Sequence, residues 1–269
     1  MGNLEFNSSL ARLVSNHKYV LDEGASFMIS ADFSFDFPFK FRSGTGQDGL
    51  LVFLPSARTH HSWPYYPRLQ WEDKFEGHFD VLYLSDPYQE SSYAEKFGGS
   101  WFVGPDGNSK LWEIAEILRV AIKNRGYEKV IFYGSSLGGY ASLVLASLIP
   151  GTIAVAECPQ VYLDKHAGSK FVLDNVALTE KGMQLLNINT LIEQNNATSK
   201  YKIICNIGDL HFRGHVLPLL EEISKGDPAK YDIECISYFS GKYGSGHTAL
   251  QYDDARAIIM KIAEESPAL

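Results

Sequence analysis

Residues Lys129 to Pro150 read KVIFYGSSLGGYASLVLASLIP. Lys129 to Tyr133 has the β-branched and aromatic composition of a short buried strand. Gly134 to Gly139 then forms a turn too tight for large side chains. From Tyr140 onward, Leu143, Val144, Leu148 and the intervening alanines predict an apolar helix that stops at Pro150-Gly151. Gly134, Ser136 and Gly138 satisfy the pattern G-x-S-x-G. In that pattern a serine sits on a strained strand-to-helix turn, and glycines let the helix pack back against the strand. A hydroxyl raised above a sheet end is accessible. The helix start behind it offers unpaired N–H groups and a partial positive charge, which suit a developing oxyanion. The competing interpretation is a glycine-rich turn of a Rossmann-like domain, with Ser136 merely capping the helix.

The flanking sequence predicts the same architecture. Alternation from Phe27 to Phe41 has the period of strands with one covered face, and Pro38 breaks it, so an antiparallel pair at a sheet edge is expected. Leu50 to Leu54, Asp80 to Leu84, Thr152 to Ala156, Tyr201 to Ile207 and Asp232 to Phe239 read as further strands. Asn108 to Arg125 carries Leu111, Ile114, Ala115, Leu118 and Ile122 on one face and ends at Gly126, so a helix is expected there. Helices are also expected over residues 179–195, 214–225 and 248–268. Strands alternating with helices predict an α/β domain, a mostly parallel sheet covered on both faces with an antiparallel N-terminal edge. The 269 residues suffice for a single such domain over 1–269.

Composition narrows the partners. The formal net charge of −8 disfavours nucleic acid and anionic membrane surfaces, because no basic face offsets phosphate repulsion. Cys158, Cys205 and Cys235 are scattered at or beside apolar runs, as expected for buried free thiols rather than a metal site. No signal-peptide pattern and no membrane-spanning run is read, so a cytoplasmic location is expected. The oligomeric state is left open.

Chemistry-bearing residues fall at strand ends. Asp209 follows the strand at Tyr201, and His247 follows the last strand on a glycine-rich turn. Loops at the carboxyl ends of parallel strands converge on one crevice. A serine hydroxyl is a weak nucleophile until a base takes its proton; imidazole suits that task, and a carboxylate fixes its tautomer. His247 competes with His211 and His215 for the base and is favoured by its place after the last strand on a glycine-rich turn; for the acid Asp209 is favoured over Glu157 and Asp86. The loop after Leu54 offers Ala57 or Ser56 as an oxyanion donor beside the N–H of Leu137. Arg58, His60 and His61 are placed to line a pocket, the aromatic segment around Trp63 to Trp71 with Arg68 to wall it, and His211 to contact substrate.

Over residues 50 to 265 the chain resembles the α/β-hydrolase superfamily, whose triads run Ser, Asp or Glu, then His. The G-S-S-x-G-G turn at Gly134 to Gly139, the G-D-x-H turn at Gly208 to His211 and the G-x-G-H turn at Gly244 to His247 resemble one branch of it. That branch includes bacterial capsule O-acetyltransferases. The resemblance implies an acyl-serine intermediate at Ser136, with a lid or cap insertion at 158–200. It implies a small-molecule or carbohydrate ester as substrate. Hydrolysis of an acyl ester is the leading expectation. Transfer of an acyl group to a polysaccharide hydroxyl, with acetyl-CoA as donor, is the alternative, and a non-catalytic scaffold the third. No metal or resident cofactor is expected.

Overall fold

The computed structural model describes residues 19–21, 27–29, 35, 37–44, 49–59, 63–75, 77–239, 242 and 246–265. His60 and His61, most of the alternating run between Phe27 and Phe37, and residues 243–245 lie outside them. In chain order the strands are β1 (Tyr19–Leu21), β2 (Phe27–Ile29), β3 (Phe39–Arg42), β4 (Leu50–Leu54), β5 (Asp80–Leu84), β6 (Val130–Ser135), β7 (Ile153–Glu157), β8 (Lys200–Asn206) and β9 (Ile233–Tyr238). The α-helices are α1 (Leu111–Arg125), α2 (Leu137–Leu148), α3 (Ala167–Asn175), α4 (Glu180–Gln184), α5 (Ile188–Asn195), α6 (Leu217–Ile223) and α7 (Tyr252–Glu264).

Strands β1 and β2 form a separate antiparallel pair, and the other seven make one sheet in the order β3-β5-β4-β6-β7-β8-β9. Every pairing from β5 to β9 is parallel, and β3 runs antiparallel to β5 at the edge. The expected edge is therefore present. Phe35, Phe37, Phe39 and Phe41 are all buried beneath it in the core, so these four phenylalanines serve packing. A parallel sheet covered on both faces needs strands apolar throughout, and β4 and β6 are buried at every residue. One core lies against α1, α2 and α5. The other lies against α7, whose Ala255, Ile259 and Ile262 cover Ile131, Tyr133 and Val155.

Three boundaries differ from the sequence reading. The strand before the serine continues through Ser135, and α2 begins at Leu137, three residues earlier than periodicity predicts. Glycine's poor helix propensity is overridden by proximity: a Cβ on Gly134 would sit 2.4 Å from Gly138 carbon and oxygen, and one on Gly138 would sit 2.7 Å from Leu54 O and Pro55 O. Residues 158–200 hold three helices instead of one, and α5 buries Ile188, Leu191 and Ile192 in the core. The last helix begins at Tyr252, leaving residues 247–251 free to lie along the site. Among the described residues, no helix is long and apolar enough to cross a membrane.

Candidate active site

The site forms where β4, β6, β7 and β8 end. Ser136 joins β6 to α2 with φ 59° and ψ −115°, a conformation that L-residues adopt only when their surroundings impose it. Its own N–H donates to Glu157 O at 2.9 Å, and its carbonyl accepts from Tyr140 N–H at 3.1 Å. These two bonds pin the turn between β7 and the first turn of α2. Leu137, the first helical residue, has an N–H that the helix itself cannot satisfy.

Asp209 sits in the turn after β8 and is 1% exposed. Its Oδ1 accepts from His211 N–H at 2.8 Å, and its Oδ2 accepts from His247 Nδ1 at 2.7 Å. Burial raises the Asp209 carboxyl, but these donors outweigh it and hold it below its ordinary value. His247 is drawn the other way. Burial would lower its pKa, yet the bond to Asp209 and that carboxylate's charge bring the imidazole up to about 9.

Three further imidazoles crowd the site. The His211 ring centroid is 4.2 Å from that of His247, and His166 and His215 follow at 5.6 and 5.1 Å from His211. Burial, then repulsion from the neighbouring rings, lowers His166 to about 4 and His215 to about 3, and lowers His211 as well. Of the four, only the ring held by the carboxylate is shifted upward. His211 Nδ1 contacts Cys158 O at 2.9 Å, and His215 Nδ1 accepts from Tyr162 N–H at 3.1 Å. Among the described residues, neither of these two rings is bonded to a carboxylate as the His247 ring is.

Two cavities open on this point, of about 610 Å³ and about 480 Å³. Ala57, Ser136 and His247 line both. Arg58, Tyr65, Arg68 and Trp71 wall the larger, so the aromatic segment does bound the site. Gln160, His166, Leu210 and His211 wall the smaller. Among the described residues Ser136 Oγ makes no hydrogen bond to His247, although the two side chains face the same spaces. In the loop after β4, Arg58 N–H donates to Gly98 O at 2.7 Å, whereas Ala57 N–H has no backbone acceptor among the described residues. Ser56 lines the larger cavity alone.

The two competing acids have other work. Asp86 is buried and accepts from Ser100 N–H at 2.6 Å, from Ser100 Oγ at 2.5 Å and from Tyr88 N–H at 3.1 Å, so it ties the 86–102 loop rather than facing the cleft. Glu157, 2% exposed, accepts from Arg68 Nη2 at 2.8 Å, from Leu250 N–H at 3.3 Å and from the Tyr133 hydroxyl. Burial pushes its carboxyl up, against the pull of Arg68. This carboxylate fastens the aromatic segment and the segment after His247 to the sheet. Sequence reasoning missed that role; the available signal was an acidic residue ending a buried strand opposite an arginine in an aromatic loop.

A strand order with one antiparallel edge, a serine at positive φ between β6 and α2, and an Asp–His pair after β8 and β9 define an α/β-hydrolase fold. Solved structures with this fold match the chain along most of its length. The capsule O-acetyltransferase of Neisseria meningitidis serogroup A superposes with a TM-score of 0.65 at 14% identity, covering 95% of this chain and all of that one. A mutant of that enzyme in complex with CoA matches at a TM-score of 0.63 and 13% identity, over 84% of this chain and 91% of the other. An S-formylglutathione hydrolase from Agrobacterium tumefaciens matches at 0.54 and 14%, over 86% and 87%. These neighbours are enzymes, one an acetyltransferase and one a hydrolase. No protein-family model and no curated protein sequence matches the chain.

Proposed function

We propose that the chain is a serine-dependent enzyme of acyl-ester chemistry. The observation that carries this is that Ala57, Ser136 and His247 line both cavities, with His247 Nδ1 bonded to a buried Asp209. Ser136 Oγ attacks the acyl carbonyl while His247 Nε2 takes its proton. The N–H groups of Leu137 and Ala57 bind the oxyanion, and loss of one such donor typically costs roughly 10²–10³ in turnover. His247 then returns the proton to the departing alcohol, leaving an acyl-serine. A second hydroxyl, its proton taken by His247, attacks that ester and frees Ser136. Asp209 fixes the tautomer throughout and supports the imidazolium.

Water as the second hydroxyl gives an esterase, which we place first. Two cavities meeting at one nucleophile also favour a second reading, transfer to an acceptor hydroxyl such as that of a carbohydrate. The likeness to an acetyltransferase supports the same alternative, in which acetyl-CoA is the donor. Labelling with a fluorophosphonate tests the shared chemistry. One adduct on Ser136, absent from Ser136→Ala, is expected. Well-folded protein that takes no label would favour the scaffold reading.

A further inference from the structure

The larger cavity has a charge pattern at odds with the chain as a whole. Two guanidiniums line it and, among the described residues, no carboxylate does, in a protein of net charge −8. Arg68 is partly accounted for, because Glu157 holds its Nη2 from behind. Its side chain is 9% exposed and lies between Trp71 and Tyr133, 4.9 and 4.8 Å from their ring centroids. Yet Arg68 Nε is buried with no hydrogen-bond partner, and an unsatisfied buried donor is costly.

Arg58 is not accounted for. Its side chain is exposed at the mouth of the cavity, and its guanidinium rests over the Tyr65 ring, 5.7 Å from the centroid. Among the described residues no carboxylate lies within ion-pair reach of it. Arg58 directly follows Ala57, so its side chain leaves the loop one residue from the proposed oxyanion donor. A planar fork of donors beside an aromatic face suits a carboxylate or phosphate on a flat or ring-shaped body.

We infer that the larger cavity receives the anionic part of a substrate, a carboxylate or phosphate carried on the ester or on the acyl donor, with Arg58 as its counter-charge. This rests on the acyl-ester reading of Ser136 and adds a substrate class to it. Tyr65 flanks the ring or chain that carries the anion, Arg68 Nε supplies a further donor, and the smaller cavity is left to the acyl group or to the attacking hydroxyl.

Two pairs of probes test the charge. One is 4-acetoxybenzoate against its uncharged isostere 4-acetoxybenzamide. The other is acetyl-CoA against S-acetyl-N-acetylcysteamine, a truncated thioester that lacks the phosphates together with the adenosine and the pantoyl arm, so in that pair it is the change on replacing Arg58 that reads the charge. Wild-type protein is expected to favour the anionic member of at least one pair by about 2- to 5-fold in KM, as an ion pair to an exposed guanidinium supplies. Arg58→Gln should bring that ratio close to one in the aryl pair and lower it in the thioester pair, whatever its absolute rate, and Arg58→Lys should keep part of it. Preference in the aryl pair puts the anion on the ester, and preference only in the thioester pair puts it on an acyl carrier. A ratio near one in both pairs, or a preference that Arg58→Gln leaves unchanged, would overturn the inference. Should none of the probes be turned over, calorimetric titration of Ser136→Ala with 4-hydroxybenzoate and 4-hydroxybenzamide, and with CoA before and after Arg58→Gln, reads the same discrimination without catalysis. Equal affinity for the aryl pair together with CoA binding unchanged by Arg58→Gln would also refute it.

Discussion

Replacing Glu157 by Gln removes a single negative charge from a position that is 2% exposed, while keeping the shape of the side chain and an oxygen for the Leu250 N–H. What remains is the Arg68 guanidinium, 9% exposed and deprived of its partner at 2.8 Å. Its two flanking rings attract a cation but cannot neutralise it. Breaking a buried pair from one side typically costs about 3–5 kcal/mol. In a chain of this size that corresponds to a fall of roughly 6–20 °C in Tm. Urea unfolding at pH 7 should therefore show a lower midpoint with an unchanged slope. The double variant Glu157→Leu with Arg68→Met should recover most of the loss, since apolar groups of similar volume replace a buried pair at little cost. A loss under about 1 kcal/mol for Glu157→Gln would refute the reasoning. It would mean that burial raises this carboxyl far enough for the folded protein to carry it protonated at pH 7.

Other outcomes follow from the same geometry. Gly138→Ala would put a Cβ 2.7 Å from two backbone oxygens that cannot yield. It should cost at least about 2 kcal/mol in urea unfolding, as overpacking does, and abolish fluorophosphonate labelling. Because His247 must be neutral to accept a proton and is raised to about 9, kcat/KM should climb from pH 7 and level off above that value. A limb centred near 6.5 would contradict the Asp209 contact. The same raised group stabilises the fold fully below its unfolded value of 6.5, and this contribution should fade as pH rises through about 9. Asp209→Asn leaves the imbalance of tautomers uncorrected and should lower kcat by roughly 10⁴, measured with p-nitrophenyl acetate.

How much of this was readable in the sequence depended on whether the determining contact was local. The turn at Gly134 to Gly139 declared itself because only glycine tolerates the approach of α2 to β4 and β6. Buried strands such as β4 and β6 declared themselves as unbroken apolar runs. The start of α2 at Leu137 did not, since packing against Leu54 and Pro55 overrides the propensity of Gly138 and Gly139. Helix α3 is short and was passed over as polar; its fixed points are Ser169, which bonds Leu163 O at 2.6 Å, and Val172 in the core. Along the chain Asp209 is favoured, but Asp86 and Glu157 compete with it because each is an acid at a strand end. What separates them is partners 14 to 89 residues away, Ser100 for one and Arg68 for the other. The positive cavity, too, exists only once Arg58 and Arg68 share a wall.

The most direct test of the central claim is rapid-quench turnover of p-nitrophenyl acetate followed by mass analysis of the protein. If Ser136 carries the acyl group, a burst of nitrophenol close to one equivalent precedes the steady state, and the quenched enzyme bears one acetyl on the peptide containing Ser136. Turnover that persists in Ser136→Ala, or that proceeds with neither burst nor adduct at that serine, would contradict the account.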